Sequence, residues 1–172
     1  MIFLGPLRAE MRAAFWFAAL GEPLTDGVRA EALAYASSDD VRLVTTWREA
    51  EEYLKSPTTS LDWWEREETL RKEMLTRAEA RYPERALWTS LSELTTEAGD
   101  LVHGKAAAAA ARMGGARPAS IHVAAGAASQ AIYQLAVARI AGAPNSPFES
   151  KFRLFAAGRW PLGIEGSRLV LF

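Results

Sequence analysis

The sequence predicts an all-α protein: a single bundle of six or seven helices around a buried, alanine-rich central helix, with a small C-terminal β-hairpin. Three observations carry this expectation. Apolar residues recur at three- and four-residue spacing over most of the chain, which is the period of an amphipathic helix. Two alanine-rich runs, AAAAAA at 106–111 and AAGAA at 124–128, flank the breaker GGARP at 114–118. The stretch WPLGIEGSRLVLF, from Trp160 to Phe172, loses the helical period: Pro161 forbids helix, and Glu165-Gly166-Ser167 supplies a turn between two apolar arms.

Each element has its own signals. The first helix is expected from Leu7 to Leu20, with Met11, Ala14, Phe15, Ala18 and Ala19 at helical spacing and Gly21 and Pro23 as its stop. Thr25 or Asp26 caps a second helix that ends near Ser37. Asp39 or Asp40 caps a third, with the stripe Leu43, Trp47, Ala50 and Leu54, and KSPTTS ends it. Asp62 as N-cap with Glu65 three residues on opens a fourth, which runs to Tyr82. The fifth spans Glu84 to Met113 on the stripe Leu87, Leu91, Leu94, Ala98 and Leu101, and Gly99 and Gly104 are candidate break points. The sixth, from Ala119 to Ala141, is apolar nearly all round, the mark of a buried helix. Ser146, Pro147 and Glu149 make a capping box for a seventh, with Phe148, Phe152 and Phe155 on one face and Gly158 as its end. Small alanine side chains let the fifth and sixth helices approach closely as an antiparallel hairpin.

The chain has 172 residues, enough for one domain with a substantial core, so residues 1–172 are read as one helical domain with 160–172 packed on it. There is no cysteine, which excludes disulfides, thiolate metal sites and thiol nucleophiles within these residues. No segment has the pattern of a signal peptide or a membrane span, so a cytoplasmic location is expected. Arginine outnumbers lysine 16 to 4, a composition associated with GC-rich bacterial genomes. The net charge of −1 is unevenly spread. Residues 1–60 carry 6 basic and 9 acidic groups, 61–100 carry 6 and 10, and 101–172 carry 8 and 2. Either the parts pack so that the charges interleave, or a basic face meets an acidic partner or a second copy of the same protein.

Several motifs come close without completing. Gly99 to Lys105 satisfies the spacing of a phosphate-binding loop, but Ala106 stands where that motif needs a Mg²⁺-binding hydroxyl, and no strand precedes it. Glu97, Asp100 and His103 are spaced at three residues, yet the chain has only two histidines and neither follows a Glu by three, so no metal site and no cofactor are expected. The basic residues Arg153, Arg159 and Arg168 stand among apolar ones without the pattern of a nucleic-acid reader, so none is expected as a partner. Glu67 is different. It interrupts the apolar stripe of Trp63, Leu70 and Met74, and such an acid is either paired with a buried cation, lines a pocket, or reaches water from a partly covered helix. Gln130 and Gln134 lie a turn apart on the sixth helix and need partners if buried. A ligand pocket, if there is one, is expected between Glu67, His122, Gln130 and Gln134.

The C-terminal hairpin cannot be stable alone in water. It is either a lid over the bundle or an edge that pairs with a second copy or another protein, with Trp160, Ile164, Leu169, Leu171 and Phe172 as interface candidates. The leading functional expectation is a non-catalytic cytosolic protein acting through protein–protein contact, as a regulator, adaptor or toxin-neutralising protein, with a homodimer as one form of that contact. The alternative is a small-molecule-binding protein or enzyme with a polar pocket inside the bundle.

Overall fold

The structure is a computed structural model that describes residues 2–55 and 60–172. Among these the chain forms seven helices and three short strands. In order they are α1 (Gly5–Ala13), α2 (Asp26–Ala36), β1 (Asp40–Leu43), α3 (Trp47–Leu54), α4 (Leu61–Arg81), α5 (Glu84–Met113), α6 (Pro118–Ile140), α7 (Pro147–Ala156), β2 (Pro161–Glu165) and β3 (Arg168–Leu171). The broad expectation of a helical protein holds. No helix among the described residues is long and apolar enough to cross a membrane.

The long helices follow their sequence signals closely. In α5 the residues Leu87, Leu91, Leu94, Ala98, Val102, Ala106 and Ala109 are all buried, and the helix runs unbroken through Gly99 and Gly104. It turns at Gly114-Gly115 into α6, and these two helices make the most extensive contact between elements of the fold. Ala106 and Ala109 on α5 and Ala124, Ala125 and Ala128 on α6 are all buried there. Helix α6 also packs against α4 and α7. Its burial is not uniform. Of the residues from Ala131 to Ala141, only Tyr133 and Arg139 are less than fully buried, whereas His122, Val123, Gly126 and Gln130 in the first half face water.

Three departures from the sequence expectation have physical causes. The first helix stops at Ala13, seven residues early. Trp16 and Phe17 are adjacent and both buried, a placement that one helical face shared with Leu7 and Met11 does not provide. The chain instead turns irregularly, with Phe17 at φ 58° and the Trp16 indole N–H donating to the Met11 carbonyl at 2.7 Å. Second, Asp40–Leu43 is a strand and not the start of a helix. Val41 and the buried Val44 find partners in β3, and α3 begins later, where Thr46 caps the Glu49 N–H. Third, the capping box of α7 does not form. The Glu149 carboxylate accepts from the Arg139 guanidinium at 2.6 Å, a charge-assisted bond that outcompetes a backbone N–H. Ser60, and not Asp62, caps α4. Of the KSPTTS segment, residues 56–59 lie outside the described residues.

β2 and β3 pair antiparallel, with a register irregularity between Pro161 and Gly163, and β1 adds to the other side of β3 in parallel, giving the order β1-β3-β2. Gly158 turns the chain out of α7 at φ 89°. A Cβ there would lie 2.6 Å from the Ala19 nitrogen, so only glycine fits against the 14–22 segment. Beyond it Trp160 sits in an aromatic cluster. Its ring meets Phe17, Trp47 and Phe172, while Phe152 and Phe155 of α7 meet Trp16.

The alanine seam between α5 and α6 has a direct test. Ala128→Leu overfills it and lowers stability by about 1–3 kcal/mol. Val123→Ala, on the exposed face of the same helix, changes it by less than about 0.5 kcal/mol. Urea unfolding of the two variants measures the contrast, and equal stability in both would refute the tight seam.

Candidate functional site

Glu67 lies on α4, which packs against α6, and its side chain reaches residues of α2, α6 and α7. Its side chain is only 11% exposed. A buried carboxylate is costly unless paired and hydrogen-bonded, and Glu67 is both. The Lys151 ammonium of α7, itself 11% exposed at the side chain, donates to Oε1. Gln134 Nε2 of α6 donates to the same oxygen at 3.2 Å. The Tyr35 hydroxyl of α2 donates to Oε2 at 2.7 Å. Lys151 also donates to Gln134 Oε1 at 3.0 Å, which fixes the amide's orientation: its oxygen faces the cation and its NH₂ the anion. Four helices are thus joined by one closed polar network.

The network borders a pocket of about 180 Å³ lined by Tyr35, Ala36, Ser37, Trp63, Arg66, Glu67, Leu70 and Pro147. Tyr35 and Trp63 meet edge to face at 5.4 Å and form an aromatic corner over the carboxylate. Glu67 and Tyr35 face this pocket, while Lys151 and Gln134 hold Glu67 from behind. The carboxylate accepts three hydrogen bonds from the protein, and a carboxylate has about four lone-pair positions. One acceptor position, on Oε2, has no partner among the described residues. Burial first, and then the charge and hydrogen bond of Glu67, push the Tyr35 hydroxyl well above the usual phenol range. A larger, more open depression of about 500 Å³ lies between Gly21, Trp47, Arg112 and Gly114. Its cationic side chains are engaged elsewhere, Arg48 with Glu52 and Arg112 with the Phe17 and Leu20 carbonyls.

Of the four residues placed in a pocket by sequence, Glu67 and Gln134 come together and His122 and Gln130 do not. His122 and Gln130 are exposed on α6, and the His122 ring lies beside that of His103 on α5. Glu68, the neighbouring acid, reaches Arg71 and Lys72 on its own helix, and its carboxyl is lowered first by the Arg71 hydrogen bond. Sequence reasoning missed Tyr35 and Lys151. The lysine carried a signal of its own: it falls three residues after Phe148 and four before Phe155, on an apolar face, which is the same anomaly as Glu67 with opposite charge.

The five C-terminal interface candidates are all inside the chain's own core. Trp160, Ile164, Leu169, Leu171 and Phe172 are each at most 6% exposed. The flanks of β3 are taken by β1 and β2, and the Ser60 N–H donates to the Ile164 carbonyl. The charge asymmetry is also met internally. Arg117 pairs with Glu51, Arg139 with Glu10, Lys151 with Glu67 and Arg153 with Glu31, each joining the basic last part to the acidic earlier parts. Among the described residues no cluster of three or more His, Asp or Glu is placed to hold a metal ion. Glu97, one member of the spaced trio, is bound to Arg8 and Arg12.

Two outcomes test the network. Lys151→Met leaves Glu67 buried and unpaired and costs about 3–5 kcal/mol, while the double variant Glu67→Gln with Lys151→Met recovers most of it. Chemical denaturation of the three proteins reads this coupling. The second test uses pH. The folded-state pKa of Tyr35 is raised, so its contribution is complete below the unfolded value of about 10 and is lost as pH rises through the folded one. The wild-type urea midpoint therefore falls more steeply between pH 9 and 11 than that of Tyr35→Phe. Parallel curves would show that Tyr35 ionises as freely folded as unfolded. No protein-family model matches this chain, and neither a curated protein nor a solved structure matches it significantly.

Proposed function

We propose that the protein binds a small molecule in the pocket beside Glu67, with an apolar body against Trp63, Leu70 and Pro147 and one N–H or O–H donor on Glu67. The observation that carries this reading is a buried, nearly saturated carboxylate with an open acceptor position, held by Lys151 and Gln134 at the floor of an aromatic-walled pocket. The volume limits the ligand. About 180 Å³ is close to the roughly 150 Å³ cavity that holds benzene. That admits a phenol or an indole. The charge limits it too. Glu67 is already neutralised by Lys151, and Arg66 also lines the pocket, so a neutral donor is favoured over an ammonium.

A second reading, contact with another protein, keeps one observation in its favour. Leu61 and Trp64 stand 72% and 55% exposed on one side of α4, beside Asp62 and Glu65. The charge imbalance and the apolar C-terminus, which also favoured it, are accounted for within the chain.

Isothermal titration and thermal shift with a panel of phenols and indoles decide the first reading. At ten times its Kd a ligand stabilises by about 1.4 kcal/mol, a rise in Tm of about 3–6 °C for a chain of this size. Leu70→Trp, which fills the pocket from a half-buried position, abolishes the shift. No shift from any panel member, or a shift that survives Leu70→Trp, would turn the assignment to the second reading.

A further inference from the structure

The chain contains two histidines, His103 and His122, and the fold brings them together. One is on α5 and the other on α6, both are exposed, and their ring centroids are 4.9 Å apart with the planes tilted by 35°. No described hydrogen bond or ion pair holds either ring. We propose that this pair is a surface binding site for a divalent transition-metal ion of the zinc type, with two imidazole ligands from the protein and the remaining positions filled by water.

The separation supports it quantitatively. With a Zn–N bond of about 2.0–2.1 Å and a ring nitrogen about 1.2 Å from its centroid, two imidazoles on one tetrahedral ion have centroids about 5 Å apart. The observed distance meets that requirement without moving either helix. Orientation is the remaining variable, and the terminal torsion of an exposed histidine has a broad, shallow preference. Imidazole nitrogen suits zinc, copper and nickel and not magnesium or calcium.

The surroundings add a second observation. Gly99 lies one turn before His103, Gly104 directly after it, and Gly126 one turn after His122. A glycine inside a helix costs roughly 0.5–1 kcal/mol against alanine, which a packing gain usually offsets. Here a Cβ at any of the three would meet nothing within 4 Å, so packing does not explain them. All three open onto unfilled space on the same two helices. Asp100, one turn before His103 and without a described partner, is placed to accept a hydrogen bond from a bound water. The site shares no residue with the Glu67 pocket, so the two assignments stand or fall separately.

Zinc chloride titrated calorimetrically into the full chain at neutral pH tests it. The wild type should bind one ion saturably, and His103→Asn and His122→Asn should each weaken binding at least about tenfold, since loss of a ligand is no milder than loss of its supporting partner. In the wild type the ring proton resonances of both histidines should shift with the same zinc dependence. Because both side chains are exposed, the zinc-free Tm of each variant should match the wild type, which keeps folding out of the comparison. Unchanged affinity in a variant that carries both substitutions would place the ion elsewhere and overturn the proposal. So would a response from one ring alone, or no saturable binding by the wild type.

Discussion

The fold depends on closing an aromatic cluster around Trp160. The Trp160 backbone pairs with Phe172 in both directions, N–H to carbonyl at 2.6 and 2.9 Å, while its ring touches Phe17, Trp47 and Phe172. Those contacts come from the first twenty residues, the start of α3 and the last residue. Much else follows from supplying them. The chain abandons helix after Ala13 to deliver Trp16 and Phe17 together. Gly158 is required where α7 must turn tightly against Ala19. The Arg159 guanidinium, buried beside the cluster, donates to the Glu22 and Pro23 carbonyls and ties down the same segment. An arginine can serve several main-chain oxygens from one planar group, which a lysine cannot.

Electrostatics complete what the apolar core begins. The ion pairs join elements far apart in the chain: Arg8 and Arg12 of α1 reach Glu97 of α5, and Glu51 of α3 accepts from Arg117 and Ser120 at the start of α6. That last contact places a carboxylate at a helix N-terminus, where the helix dipole favours it. The Glu51 carboxyl is lowered, first by the Ser120 hydroxyl and then by Arg117. Exposed pairs of this kind add little stability each. They do set which helix end meets which neighbour. The Glu67–Lys151 pair differs in kind, because it is desolvated and its cost is met only while all four members are present.

Long amphipathic patterns were the legible part of the sequence. The start and end of α5, the turn at 114–117 and the extent of α6 followed from apolar spacing and glycine and proline positions. What was hidden depended on partners distant in sequence. DVRLV at 40–44 reads equally as a helical or an alternating segment, and only pairing with β3 decides it. The end of α1 was hidden because helix propensity says nothing about two adjacent aromatics needing the same core. At the candidate site, the oddity of Glu67 was visible, and so was the amide of Gln134. Their partners were not, because Tyr35 and Lys151 belong to helices whose relative placement no local pattern encodes. His103 and His122 share no local pattern, and their meeting depends on the register of α5 against α6.

The parallel pairing of β1 with β3 has a consequence for how the molecule is made. Ser38 donates to the carbonyl of Ser167, 129 positions further along, and the β1–β3 ladder starts beside that contact. Contacts this remote close slowly, since the loop entropy must be overcome before the ladder rewards it. During synthesis, at about 5–20 residues per second, Asp40–Leu43 and Val44 leave the ribosome several seconds before the strand that receives them. The helices can assemble from nearby contacts in that interval, but this segment waits as an unpaired, partly apolar strand, the kind of surface on which chaperones and stray strand pairing compete. Asp39 before it, and Asp40 and Arg42 within it, are well placed to keep it in solution until its partner arrives.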